Sequence, residues 1–183
     1  DVGNMEILME YGTDAQKERW LGPLVAGDIR SCFTLTEPEF AGSNPVWMGT
    51  TAKKDGGDFV IRGHKWFSTG AEGSAFAICM AVTDPDAGPH ARASMIIVPM
   101  GTPGFEIVCN LSIMGHRGSD WASHAEVAYH DARVPQENLL GGEEHYAKGG
   151  GAEGFKTAMK TFDGSRPMVA AMAVGIARAA FEE

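Results

Sequence analysis

Cysteine is scarce in this sequence. Cys32, Cys79 and Cys109 are the only three in 183 residues, and their spacing is wide and unpatterned. So sparse and odd a set cannot build a disulfide framework and points to a reducing compartment. Positive charge is also short. Fifteen Lys and Arg stand against 24 Asp and Glu, for a formal net charge of −9. That balance argues against a general nucleic-acid or membrane-surface binder, so neither partner is expected. A polyanionic small ligand stays possible, because a few placed cations and backbone N–H groups suffice for it. Long apolar runs are missing as well: the longest, at 94–100, is far too short to span a bilayer. No basic-then-apolar leader opens the chain, and no G-x-S-x-G nucleophile motif occurs.

Other features are abundant. Hydrophobic residues make up 44% of the chain, enough for a real core and too many for wholesale disorder. Glycine is frequent, at 24 residues, about twice the usual ~7%. Tight turns and close backbone approaches are therefore expected.

The pattern runs helix, strands, helix. In residues 5–21, Met5, Leu8, Met9, Trp20 and Leu21 are separated by polar positions. Gly12 interrupts the stretch, Thr13 or Asp14 can N-cap a second helix, and Pro23 and Gly27 are expected to end it. From about Ser31 to Leu140, short β-like runs alternate with turn signals. Asp55-Gly56-Gly57-Asp58 reads as a hairpin turn, followed by runs at 59–62, 76–83, 93–99, 105–110 and 124–131. In the last, Ala125, Val127 and Tyr129 alternate with His124, Glu126 and His130, the signature of a half-buried strand. Such strands without intervening helices imply an antiparallel barrel-like or sandwich domain. Residues 152–183 return to helical spacing, with a kink or break expected at Pro167. The expected class is α+β: the end of a helical domain (1–30), a β-domain (31–140) and the start of a second helical domain (141–183). Because the chain starts at Asp1 and ends inside helical sequence at Glu183, it reads as an interior piece of a longer protein.

Two motifs look chemical but lack their context. Gly149-Gly150-Gly151-Ala152-Glu153-Gly154 formally fits G-x-G-x-x-G, yet His145-Tyr146-Ala147-Lys148 before it is no convincing strand and Val174 stands where an acidic residue is needed. His116, His124 and His130 lack partners at zinc spacing, so no metal site is expected.

One pair of segments is more specific: Cys32-Phe33-Thr34-Leu35-Thr36-Glu37-Pro38-Glu39-Phe40-Ala41-Gly42-Ser43-Asn44, then Lys65-Trp66-Phe67-Ser68-Thr69-Gly70-Ala71. Together they resemble the motifs of the middle β-domain of the acyl-CoA dehydrogenase family. Further matches follow in order: Gln16-Lys17 to Trp20-Leu21, Met114-Gly115 with Ser119-Asp120, Arg133-Val134-Pro135, Glu153-Gly154-Phe155 and Asp163-Gly164-Ser165-Arg166-Pro167. Glu39-Phe40 is one residue longer than in many members, which is similar to the branch holding longer-chain and phosphorylated-substrate relatives.

The residue chemistry agrees with a flavin. Thr36 and Ser68 offer small hydroxyls, the backbone of 33–36 offers strand-end polar groups, and Gly42 and Ser43 permit close approach to phosphate oxygens. Trp66 offers a flat apolar wall. The resemblance implies FAD as cofactor, held by Phe33, Leu35, Thr36, Gly42, Ser43, Trp66, Phe67 and Ser68. It further implies that Ser43, Asp163 and Arg166 meet an acyl-CoA substrate, and that Glu37 is structural. The implied reaction is α,β-dehydrogenation of an acyl-CoA thioester, with electron-transfer flavoprotein as acceptor and a homodimer or homotetramer as the assembly. The implied location is the cytoplasm in a bacterium, and otherwise mitochondria or peroxisomes. No catalytic base is visible. Ser165 occupies the position that serves as base in a minority of relatives, so the base is expected beyond Glu183. An acyl-CoA oxidase or flavin monooxygenase relative, or a non-catalytic β-rich binding module, stays open as an alternative.

Overall fold

The computed structural model describes residues 1–116, 118–119, 122–145 and 151–183, with side chains excluded at 151–157. Asp120, Tyr146-Ala147-Lys148 and the first two glycines of the run at 149–154 lie outside the described residues. Helix α1 (Val2–Tyr11) ends where Gly12 donates its N–H to Leu8 O. Thr13 then caps α2 (Asp14–Gln16) in a capping box: its hydroxyl accepts from Gln16 N while Gln16 Oε1 accepts from Thr13 N. A π turn (Lys17–Leu21) leads into α3 (Gly22–Ala26), which stops at Gly27 in the left-handed conformation. Pro23 therefore does not end the helix, contrary to the sequence reading. It sits in the first turn of α3, directly after the π turn, where its missing N–H and its ring are tolerated.

Seven strands follow: β1 (Ser31–Thr34), β2 (Thr51–Asp55), β3 (Asp58–Thr69), β4 (Phe76–Val82), β5 (Ala93–Pro99), β6 (Phe105–Asn110) and β7 (His124–Pro135). They form one sheet in the order β1-β4-β2-β3-β7-β6, with β5 paired to β4. The hairpin at 55–58 is present, and β3 and β7 are longer than their sequence signals. Most pairings are antiparallel, as expected, but β1 runs parallel to β4, and β2 meets β4 in parallel at Thr51–Val82. The sheet is therefore mixed, because the β2–β3 hairpin intervenes between β1 and β4 and they cannot form a hairpin of their own.

Two cores lie on the two sides of the sheet. Phe59, Ile61, Ile96, Val98, Val127, Tyr129 and Val134 fill one. Phe76, Ile78, Met80, Met95 and Ile97 fill the other, together with Ile7, Leu8, Trp20, Leu24 and Leu140 from the helical and connecting segments. Strands β4 and β5 are thus covered on both faces, which explains their almost wholly apolar sequences, with Ser94 the one polar exception. Gln16 fastens the helical segment to the strap after β7: Nε2 donates to Glu137 O and Leu139 O, both at 2.8 Å, and Oε1 accepts from Gly141 N.

A short helix α4 (Gly142–His145) precedes α5 (Gly151–Glu182), which continues through Pro167 as one element. Of the kink or break expected there, the break does not occur, and Arg166 is helical. Beyond Pro167, α5 leaves Met168, Val169, Met172, Val174, Ile176 and Phe181 exposed. No described helix is long and apolar enough to cross a membrane.

Candidate functional site

The two specific segments come together at the end of β1 and along β3. Trp66 N donates to Thr36 O at 3.0 Å, and Lys65 Nζ donates to Leu35 O at 2.9 Å and to Glu37 Oε1 at 2.8 Å. Lys65 is fully buried and the Glu37 side chain is 4% exposed. Glu37 also accepts from Gly49 N (2.7 Å) and Thr50 N (2.9 Å). Burial pushes the Glu37 carboxyl up, but the Lys65 ammonium and these donors outweigh it, and its pKa lies below the ordinary carboxylate value. Glu37 is therefore a structural anion. The ion pair itself was missed in the sequence, although one partner lies in each segment.

Phe67 is a non-glycine residue with φ 52°, and it is exposed. The cause is a β-bulge: Lys65 faces Val127 and Ser68 faces Ala125, so Trp66 and Phe67 together oppose Glu126 alone. The rings of Trp66 and Phe67 lie 4.8 Å apart. Backbone held in a sparse region at a bulge is a common mark of a functional site.

Ser68 Oγ and Trp66 Nε1 are buried and have no hydrogen-bond partner among the described residues. Thr50 Oγ1, Arg92 Nε and Asn110 Oδ1 share that property but lie outside the two segments. Buried polar groups are normally satisfied, because leaving one unmade costs about 1–3 kcal/mol. Two donors orphaned within three residues of a strained bulge fit a polar ligand laid along this strand. The turn at 41–44 closes with Asn44 N donating to Ala41 O and leaves Gly42 and Ser43 exposed. A Cβ at Gly42 would stand 2.9 Å from Thr36 Cγ2, so this turn lies directly against Thr36.

Phe33 meets Phe162 of α5 edge-on, with ring centroids 6.0 Å apart. One turn away, Arg166 Nη1 donates to Asp163 Oδ1 at 2.6 Å on the exposed side of α5. Ser165 Oγ donates to Phe162 O at 3.1 Å. Asp163 and Arg166 thus lie next to and one turn beyond Phe162, partnered with each other. His116 accepts from Gly118 N, His124 Nδ1 lies 2.9 Å from Thr69 Oγ1, and His130 pairs with Glu106 at 3.3 Å. No described group of three side chains could hold a metal ion. A groove of about 910 Å³ lies elsewhere, beside β2 and the end of β4; Phe59, Val82 and Leu139 line it, with Lys54 and Glu143.

This arrangement has close counterparts. The family description "Acyl-CoA dehydrogenase, middle domain" matches residues 32–131, and "Acyl-CoA dehydrogenase, C-terminal domain" matches residues 152–183. The chain belongs to the acyl-CoA dehydrogenase family. It is 45% identical over 142 residues to acyl-CoA dehydrogenase family member 10 of Mus musculus, covering 76% of this chain and 13% of that protein. Among solved structures it resembles butyryl-CoA dehydrogenase from Megasphaera elsdenii, with 37% identity, a TM-score of 0.82, and coverage of 96% of this chain and 43% of that one. It also resembles a glutaryl-CoA dehydrogenase from Mycobacterium smegmatis in complex with FADH2, with 33% identity, a TM-score of 0.65, and coverage of 74% and 33%. The chain thus spans less than half the length of these acyl-CoA dehydrogenases.

Proposed function

We propose that this chain supplies the middle β-domain (31–140), the end of one helical domain (1–30) and the start of another (141–183) of an FAD-dependent acyl-CoA dehydrogenase. The observation that carries the reading is the pair of orphaned donors, Ser68 Oγ and Trp66 Nε1, beside the exposed turn at 41–44. Bound FAD supplies the hydride acceptor for α,β-dehydrogenation of an acyl-CoA thioester.

The residues of this chain bind and orient. Ser68 donates its hydroxyl proton, Trp66 donates through its indole N–H and covers an apolar ring face, and Phe67 extends that wall. The carbonyls of Leu35 and Thr36 are already engaged by Lys65 and Trp66. Of the stretch 33–36, Leu35 and Thr36 therefore offer backbone N–H groups rather than carbonyls, together with the Thr36 hydroxyl. Gly42 and Ser43 bring backbone close to phosphate oxygens, and Ser43 serves cofactor and substrate alike. Asp163 and Arg166, exposed near Phe33, suit the CoA portion, with Arg166 exchanging its carboxylate partner for a phosphate. Glu37, locked in its ion pair, is not the general base. A carboxylate from outside residues 1–183 fills that role, and the exposed apolar residues of α5 suit packing against further helices. Electron-transfer flavoprotein is the proposed acceptor and a homodimer or homotetramer the proposed assembly. The proposed location is the cytoplasm in a bacterium, and otherwise mitochondria or peroxisomes.

Ser68→Ala tests the reading. Its Oγ has no partner among the described residues, so thermal stability should be unchanged or higher. Flavin affinity or reduction rate should shift several-fold, matching a hydrogen bond worth about 0.5–1.5 kcal/mol. Absence of bound flavin in the intact protein, or identical flavin properties in the variant, would overturn the assignment.

A further inference from the structure

His64 lies on β3 just before the bulge, and both of its ring nitrogens are engaged by carboxylates. Nδ1 stands 2.9 Å from Glu39 Oε1, and Nε2 stands 2.8 Å from Glu126 Oε1. An ionised carboxylate only accepts, whereas a neutral imidazole carries one N–H and one lone pair. Both contacts are therefore attractive only when the ring carries two protons. The two partners belong to the two halves of the site. Glu39 sits in the first segment, between the anchored Glu37 and the turn at 41–44, and Glu126 is the residue that Trp66 and Phe67 oppose across the bulge.

We propose that His64 is a positioning residue: its charged ring clamps the Glu39 segment to Glu126, and so holds the turn bearing Gly42 and Ser43 against the Trp66–Ser68 strand. This rests on the reading that the turn and the strand bind one ligand. The groups around His64 come from each neighbouring element: Glu39 from the connection after β1, Glu126 from β7, Cys109 of β6, whose Sγ lies 3.7 Å from Glu126 Oε2, and Arg62 of β3, itself paired with Asp131. The Glu39 hydrogen bond raises the His64 pKa, partial burial opposes it, and Glu126 adds to the rise. The sign follows directly. A pKa raised on folding gives a tether fully present below the ordinary histidine value of ~6.5 and lost as pH rises through the folded pKa. His64 and Glu39 are partly exposed, at 34% and 55%, so the effect is modest, about two- to fivefold.

The test combines a ligand-free and a ligand-bound measurement on the intact protein. NMR titration of His64 should show a raised pKa that falls in Glu39→Gln and in Glu126→Gln. Amide exchange at Gly42, Ser43 and Asn44, corrected for its intrinsic pH dependence, should speed up about two- to fivefold through that pKa in wild type. It should stay fast at all pH values in His64→Phe and slow at all pH values in His64→Arg, whose charge does not titrate. FAD affinity should follow the same three patterns. An ordinary His64 titration that ignores both Glu substitutions, or identical turn exchange in His64→Phe and wild type, would overturn the clamp even where FAD binds normally. Failure of every protein to bind FAD, with the exchange pattern intact, would overturn the proposed function and leave the clamp supported.

Discussion

Lys65→Met is expected to lower the unfolding free energy by about 3–5 kcal/mol, the usual cost of removing one partner of a buried ion pair. Lys65 is fully buried and its ammonium sits between Leu35 O and Glu37 Oε1. Methionine fills much of the volume but strands the Glu37 carboxylate in the interior. The measurement is the denaturant midpoint at constant m-value. Glu37→Gln combined with Lys65→Met should recover part of the loss, because it removes the buried charge, while the single amide oxygen keeps only one of the two bonds, from Gly49 N or Thr50 N. The pH dependence separates this from simple cavity formation. In wild type the Glu37 pKa is depressed, so its contribution is present above the ordinary carboxylate range and lost as pH falls through the folded pKa. In Lys65→Met, burial acts on Glu37 without the ammonium, the carboxyl pKa moves up, and the deficit should narrow towards acid pH. A deficit under about 1 kcal/mol, or one independent of pH, would contradict the account. The same variant frees Leu35 O and loosens the strand end, so flavin binding should weaken as well.

Gly104→Ala is the second large effect expected. Gly104 has φ +86°, and a Cβ there would stand 2.4 Å from His130 O and 3.1 Å from Ala132 N. Both obstacles are backbone atoms of β7, so no side-chain rotation relieves the clash. Gly104 O also accepts from His130 N at 2.7 Å, which ties the entry of β6 to the irregular stretch of β7 where Asp131 has φ 54°. Strained backbone at about 1–3 kcal/mol and a forced shift at about 1–3 kcal/mol together predict a loss of about 2–6 kcal/mol. The thermal midpoint should fall, and amide exchange should quicken along β6 and β7. A loss below about 1 kcal/mol would show that β6 can move aside freely.

The elements differ in how plainly the sequence announced them. The limits of β5 and β6 were readable to the residue, because apolar runs bounded by Pro and Gly leave little choice. The alternation of Ala125, Val127 and Tyr129 placed the inner face of β7. Pro23 was misleading as a helix end, and Pro167 does not break α5, since helix continuation depends on a π turn in one case and on a longer helical context in the other. The parallel contacts of β1 and β2 with β4 had no local signal at all.

Composition and turn chemistry were enough to determine an α+β chain with a β-rich middle, because propensity and periodicity are local properties; the family showed only through the resemblance of short motif segments. Only the tertiary structure decided what those segments do to each other. The Lys65–Glu37 pair, the bulge that turns Phe67 outward beside Ser68, and the bridging of Glu39 and Glu126 by His64 each join residues 25 or more positions apart. Their burial and register are set by the folded sheet, and burial is what makes a buried charge or an orphaned donor energetically significant.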